Sequence, residues 1–287
     1  MITRIITGAL LVVALAALCI FSGTLAFPIV MGVLALMGIH EMLGCLRLRK
    51  NFVISLSLYA MAVIMTILSC TTENPAFLIV EYCSVLFIVL LLLFASAVFS
   101  GGSLGVDKVC ISFTTSVYIL TGFLSLTLLR YLTIEANGEM VEIGKYLFLL
   151  AFLCPWVTDT FAYFTGMFFG RHKLIPEVSP KKTIEGSVGG TLFCIGFTSL
   201  YGYLANAHFA NGLLPPVYVF AILGLFIAIV SQIGDLIFSL IKRKYGIKDY
   251  GFIFPGHGGV LDRFDSIIAV SPLVLIMCVS VFTFNIF

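Results

Sequence analysis

Polar and apolar positions segregate along this chain at the scale of whole segments. Nine apolar stretches, at roughly 5–22, 26–44, 53–69, 76–98, 109–132, 146–169, 187–206, 216–240 and 266–286, are separated by short polar ones. Unbroken apolar runs of about 17 to 25 residues fit helices that cross a bilayer core, whereas barrel strands would be short and alternating. In hydrocarbon a backbone must satisfy its own polar groups, and a helix does so within one segment. The expected fold class is therefore all-α: a polytopic integral membrane protein with about nine transmembrane helices.

Composition agrees, with 61% hydrophobic and 10% charged residues and 27 phenylalanines in 287 positions, beyond what a water-soluble domain carries. The charges add an orientation. Threading the segments from a cytoplasmic N-terminus leaves only Arg130 and Lys145 of the 16 lysines and arginines outside, so the positive-inside rule predicts N-in and C-out. The acidic loop holding Glu135, Glu139 and Glu142 then lies outside, and three polar stretches, 45–52, 170–186 and 241–265, lie inside. The first segment resembles a signal peptide, but an apolar stretch follows at once and the charge pattern needs it as a retained helix. The eight cysteines are scattered singly with no metal-ligand spacing, and read as small core hydrophobes. No internal repeat is visible and no loop is long enough for a soluble domain. The chain reads as one membrane domain, with residues 1–150 as scaffold and a place for oligomer contacts, and 151–287 carrying catalytic loops on the cytoplasmic face.

Candidate chemistry gathers in that second part. Asp235 lies in the eighth apolar segment, where a carboxylate needs a cavity or a cation. Ser231, Asp235 and Ser239 recur every four residues, with Gln232 and Lys242 near the same stripe, so one side of this helix is wet. Asp262 and Asp265 stand three apart at the entrance to the last segment and project from one side if that turn is helical. Together with Asp235 they offer hard oxygen ligands of the kind that Mg²⁺ uses. Asp265 is equally well placed to cap a helix beginning at Ser266. Lys242, Arg243, Lys244, Lys248 and Arg263 follow individually from positive-inside bias. That bias does not explain Asp249, Asp262 and Asp265 threaded among them, or the run Pro255-Gly256-His257-Gly258-Gly259. Glycine-rich backbone approaches an anion closely while cations neutralise it, so phosphate is the natural ligand. His257 is a phosphate contact, an acid, a ligand or simply a hydrogen-bonding loop residue.

A second constellation runs from Trp156 to Ser187. Asp159, Tyr163, Gly166 and Gly170 follow at helical spacings of four, three and four. They form a face with one deep acid, a phenol and two glycines better explained by helix packing. Asp159 lies about 17 Å along the helix from Gly170 and needs a polar partner. Ser179-Pro180-Lys181-Lys182-Thr183-Ile184-Glu185-Gly186 supplies cations and hydroxyls just before a helix N-terminus, a favourable place for an anion.

The run from Ser239 to Asp265 resembles the signature of the phosphatidate cytidylyltransferases, or CDP-diacylglycerol synthases. Ser239, Lys242, Arg243, Lys248, Asp249, Gly251, Pro255, His257, Gly258, Gly259, Asp262, Arg263 and Asp265 meet that pattern without a departure. The similarity extends through Asp235, Asp159, Ala162, Tyr163, Gly166, Gly170, Lys173 and the Ser179–Gly186 run, covering roughly residues 155 to 270. The resemblance implies transfer of CMP from CTP to phosphatidate by an integral enzyme of the cytoplasmic (inner) membrane, a homodimer that requires Mg²⁺ and a second cation such as K⁺. The acids matching the family's metal pair are Asp235 and Asp262. Lys242, Arg243, Lys248, Asp249, His257, Arg263 and Asp265 are then expected in catalysis. Ser239, Gly258, Gly259, Asp159, Tyr163, Lys173, Ser179, Lys182, Thr183 and Glu185 are expected to bind substrate. No nucleic-acid partner is expected.

Two other functions compete. A CTP-dependent lipid kinase of the polyprenol type shares nucleotide and membrane but transfers the γ-phosphate. A secondary transporter would use Asp159 and Asp235 to carry protons or sodium, but repeated halves are missing and the polar residues gather at one face. The Asp-Gly-x-x-Ala-Arg pattern of the CDP-alcohol phosphotransferases is absent.

Overall fold

The structure, a computed structural model, describes residues 8, 13–72, 74–101, 104–136, 138–208, 210, 212–254, 256 and 258–283. The start of the first apolar segment lies outside the described residues, as do Pro255 and His257. A helix α1 is described over 13–20. Eight longer helices follow: α2 (Ala26–Cys45), α3 (Phe52–Thr71), α4 (Pro75–Phe99), α5 (Val106–Arg130), α6 (Gly144–Phe169), α7 (Ile184–His208), α8 (Val217–Tyr245) and α9 (Leu261–Thr283). All eight are long and apolar enough to cross a membrane. The chain is an all-α multi-pass membrane protein.

Local chemistry sets several boundaries. The Asn51 side chain accepts from the Ile54 N–H at 3.2 Å to open α3. Asn74 accepts from Ala76 N–H at 2.9 Å to open α4, with Pro75 in the first turn, where its missing donor costs nothing. Two hairpins interrupt the helices. The first pairs β1 (Thr133–Ala136) with β2 (Glu139–Glu142), and the second pairs β3 (Lys173–Ile175) with β4 (Ser179–Thr183). Both fall in polar stretches where hydropathy predicts only loop.

The helix ends differ from the apolar segments in an instructive way. Hydropathy stops at the first cluster of charges, but the backbone of α8 stays helical through Lys242 and Arg243 to Tyr245, and α9 begins at Leu261 instead of 266. Charged residues are good helix formers once the helix leaves hydrocarbon. Asp265 therefore sits a turn inside α9, and the reading of it as an N-cap is wrong.

The described chain forms two compact units, each from two stretches. Unit 1 comprises Met1–Thr127 with Lys244–Phe264. Its core holds a stripe on α2, Phe27, Met31, Ala35, Ile39 and Leu43, at every fourth residue, together with Ile54, Leu58 and Met61 of α3. In α4 only Leu78, Val89, Leu93 and Ala97 are buried. Its exposed phenylalanines and leucines form an apolar surface suited to lipid. Unit 2 comprises Leu128–Arg243 with Asp265–Phe287. Its core includes Leu147, Phe148, Ala151, Phe152 and Cys154 of α6, and Phe220, Leu223 and Ile227 of α8. Arg130 is buried and pairs with Glu142 at 3.3 Å, joining the end of α5 to the first hairpin. The eight cysteines are free thiols, half of them buried.

Candidate active site

In unit 2, α6 and α7 pack along glycines. A side chain at Gly186 would put its Cβ 2.6 Å from the Ala162 carbonyl oxygen, and one at Gly166 would meet Thr183 Oγ1 at 2.7 Å. Small residues let the two backbones approach closely, as expected for Gly166. Thr183 closes β4 and accepts the Gly186 N–H at 3.1 Å, so its hydroxyl caps α7.

Beside this seam opens a cleft of about 650 Å³, bounded by α6, the second hairpin, the start of α7, and α8. Three lysines (Lys173, Lys181 and Lys182) and two aspartates (Asp159 and Asp235) line it, with Tyr163, Ser179, Thr183, Ser187 and Gln232. The excess of cations suits an anionic ligand, and the size suits a nucleotide or a lipid headgroup.

The acids converge from three helices. Asp235 Oδ2 lies 2.5 Å from Lys182 Nζ, an ion pair about one-quarter exposed on both sides. Asp159 feels both the Lys182 cation and the Asp235 charge. The Asp265 carboxyl, from α9, comes within hydrogen-bonding reach of Asp235 and also feels Asp159. Three neighbouring carboxyls repel one another unless cations offset their charge, and Lys182 offsets Asp235 and Asp159. On the same two helices as Asp235 and Asp265, the hydroxyls of Ser231 and Ser266 are buried with no hydrogen-bond partner among the described residues. Gln232 spends its amide on the neighbours, donating to Ala228 O at 3.1 Å and Thr191 Oγ1 at 3.3 Å.

Other expected residues lie outside the cleft lining. Glu185 engages His172, with Oε1 2.6 Å from the His172 Nδ1, and its carboxylate also accepts the His172 backbone N–H. It thus clamps the hairpin to the first turn of α7. Arg243 donates to Val178 O at 3.4 Å. Ser239 and Lys242 are half-buried on α8.

The remainder of the signature belongs to unit 1. Lys248, Asp249 and Arg263 are exposed. Asp262 Oδ2 accepts from Tyr250 N–H at 2.8 Å and Gly259 N–H at 3.0 Å, so the carboxylate folds its own loop. Gly258 adopts φ +87°, and a Cβ there would fall 2.8 Å from Asp262 Oδ2, two separate reasons for glycine. The structure adds a residue that sequence reasoning passed over. Glu41 of α2 is 1% exposed, and its two carboxylate oxygens accept the Val260 and Leu261 N–H groups, each at 2.9 Å. The available signal was an acid inside an apolar segment, the same rule that singled out Asp159 and Asp235.

Acids and lysines thus line one cleft of a multi-pass membrane protein. The chain belongs to the Cytidylyltransferase family, which it matches over residues 2–281. It is 47% identical over 138 residues to the phosphatidate cytidylyltransferase of Staphylococcus aureus (strain COL), covering 47% of this chain and 50% of that protein. The phosphatidate cytidylyltransferase of Staphylococcus saprophyticus is 40% identical over 138 residues, 48% of this chain and 51% of its own length. That of Bacillus subtilis (strain 168) is 44% identical over 118 residues, 41% of each. The matched stretch spans about half the length of these curated relatives or less.

Proposed function

We propose that this protein transfers CMP from CTP to phosphatidate, yielding CDP-diacylglycerol and pyrophosphate. The observation that carries the reading is the cleft of unit 2, where Asp159, Lys182 and Asp235 meet in a chain of the cytidylyltransferase family. An oxygen of the phosphatidate phosphate attacks the α-phosphorus of CTP. A new P–O bond forms as the bond to the β-phosphate oxygen breaks, and the electron pair leaves with pyrophosphate. The attacking phosphate is already anionic at neutral pH, so no strong base is needed, and most of the work is bringing two anions together. Lys173, Lys181 and Lys182 neutralise phosphate charge, and Tyr163 lines the wall of the same cleft.

The donor set fits Mg²⁺, with K⁺ as the second cation. Asp235 is the cleft's own candidate ligand, Asp265 stands against it, and the unpartnered Ser231 and Ser266 hydroxyls add neutral oxygens. Asp262 is the second acid of the proposed metal pair. Among the described residues no group of three or more His, Cys, Asp or Glu side chains is arranged to hold a metal alone. Waters and substrate phosphates would complete the shell, as Mg²⁺ commonly requires. When bound, the cation would supply charge stabilisation at the α-phosphorus and the leaving group. Lys242, Arg243, Lys248, Asp249, His257, Arg263 and Asp265 complete the proposed catalytic set. Ser239, Gly258, Gly259, Ser179, Thr183 and Glu185 complete the substrate-binding set.

The proposed setting is the cytoplasmic membrane, with nine spans, N-in and C-out, and the lysine-rich loops facing the cytoplasm, where CTP is found. The distribution of lysine and arginine supports this orientation. A homodimer follows from the family resemblance.

The test uses purified protein in detergent with phosphatidate, Mg²⁺ and CTP labelled separately on the α- and γ-phosphates. Label from the α position entering lipid, with the γ label leaving as pyrophosphate, is expected. Transfer of γ label to a lipid alcohol would make the protein a kinase, and no transfer by folded protein would return the transporter reading.

A further inference from the structure

Glu41 stands far in sequence from every residue of the signature, yet within unit 1 it is the partner on which the signature loop is built. The residue is 1% exposed, and its carboxylate accepts two consecutive backbone N–H groups, Val260 and Leu261, each at 2.9 Å. These are donors at the start of α9 that a helix cannot satisfy itself, and a buried carboxylate there also complements the helix dipole. The next donor upstream, Gly259 N–H, goes to Asp262. Three successive N–H groups are thus read by two carboxylates, Glu41 from α2 and Asp262 from α9.

The same side chain accounts for two glycines. A Cβ built at Gly251 or at Gly259 would run into the Glu41 carboxyl group. Neither residue is among those with positive φ, so backbone conformation does not demand glycine there. The space is already taken by Glu41. The position two after Asp249 must therefore be small, and the second glycine of the His-Gly-Gly run must lack a side chain, because a carboxylate from the N-terminal half fills both places.

We propose that Glu41 is a positioning residue for the 250–262 loop, acting through the Val260 and Leu261 amides to hold Asp262 and Arg263 in their working orientation. The inference deepens the cytidylyltransferase reading, and its activity arm rests on that reading. A misplacement of about 1 Å at a reacting centre costs about 10²-fold in rate. Glu41→Ala is accordingly expected to lower kcat about 100-fold, with KM for phosphatidate changed by less than about threefold. Glu41→Gln keeps one acceptor oxygen and is expected to recover about tenfold of that loss.

A double-mutant cycle separates this role from general stabilisation. Gly251→Ala alone is expected to depress kcat strongly, whereas in the Glu41→Ala background it adds less than about threefold, because the group it clashes with is gone. Hydrogen exchange supplies the activity-independent arm, with the peptide spanning 250–262 exchanging faster in Glu41→Ala and in Glu41→Gln while the rest of α9 is unchanged. Full kcat in folded Glu41→Ala, additive effects in the cycle, or unchanged exchange at 250–262 would each overturn the proposal. If Glu41→Ala does not fold, Glu41→Gln decides by its kcat and by exchange at 250–262. If the wild type transfers no α label to phosphatidate, the functional reading fails, and the exchange result still decides whether Glu41 orders the loop.

Discussion

The two units place their carboxylates in opposite kinds of surroundings. In unit 2, Asp159 and Asp235 face side-chain cations and the open space of the cleft. In unit 1, Glu41 and Asp262 Oδ2 face backbone N–H groups in a folded loop. An acid held by a flexible lysine can exchange that partner for a ligand when one arrives. An acid held by backbone amides is bound into the chain path, and moving it means unfolding the turn. The contrast separates Asp159 and Asp235, whose surroundings are open to a ligand, from Glu41 and Asp262, whose carboxylates also hold the path of the chain, although all four share one chemistry and all stand near apolar sequence.

The largest effect is expected at Asp235. Asp235→Asn keeps shape but removes the charge, and turnover is expected to fall by about 10³-fold or more with folding intact, read by label transfer and by elution in detergent. Full activity would remove Asp235 from the site. Asp262→Asn comes next. It retains one acceptor for Tyr250 and Gly259, and turnover is expected to fall about 10²-fold or more without loss of the folded state. Full activity there would remove Asp262 from the metal pair. Lys182→Met should be milder, raising KM for CTP about tenfold, because Lys173 and Lys181 still line the cleft. An unchanged KM would mean that Lys182 serves only to neutralise Asp235. Gly186→Ala should act on packing, since its Cβ would meet the Ala162 carbonyl oxygen at 2.6 Å. A loss of about 1–3 kcal/mol of stability is expected, read as a lowered detergent melting temperature. The smallest effect is expected at the His172–Glu185 contact, where the exposed His172→Ala should change turnover less than about threefold, as exposed contacts contribute little.

Much of the site was legible because the cleft is built mainly from short-range sequence. Asp159 and Tyr163 are one helical turn apart, Lys173, Ser179, Lys182 and Thr183 come from one hairpin, and Gln232 and Asp235 are three residues apart on α8. An acid in an apolar segment is conspicuous by its desolvation cost. Glu41 carries the same signal but sits near the end of its segment, between His40 and Met42, where an acid passes as interfacial. Its partners are backbone N–H groups more than two hundred residues later, and no pattern of side chains reports on a backbone donor. The expected substrate role of Glu185 meets a similar limit. Its place at the start of α7 was visible, but its pairing with His172 depends on how the hairpin folds back.

Hydropathy alone determined the class of fold, because a chain this apolar must satisfy its backbone within helices, and the spans follow from the thickness that they cross. It also determined which acids were costly enough to need a partner. Tertiary structure decided where helices end beyond the hydrocarbon, since α8 and α9 extend through charged residues that hydropathy assigns to loops. It also decided which partner each acid takes: an ammonium for Asp235, backbone amides for Asp262 and Glu41. Desolvation depends on the local run of residues and can be read along a line. A hydrogen bond depends on distance and direction in space, which only the packed chain supplies.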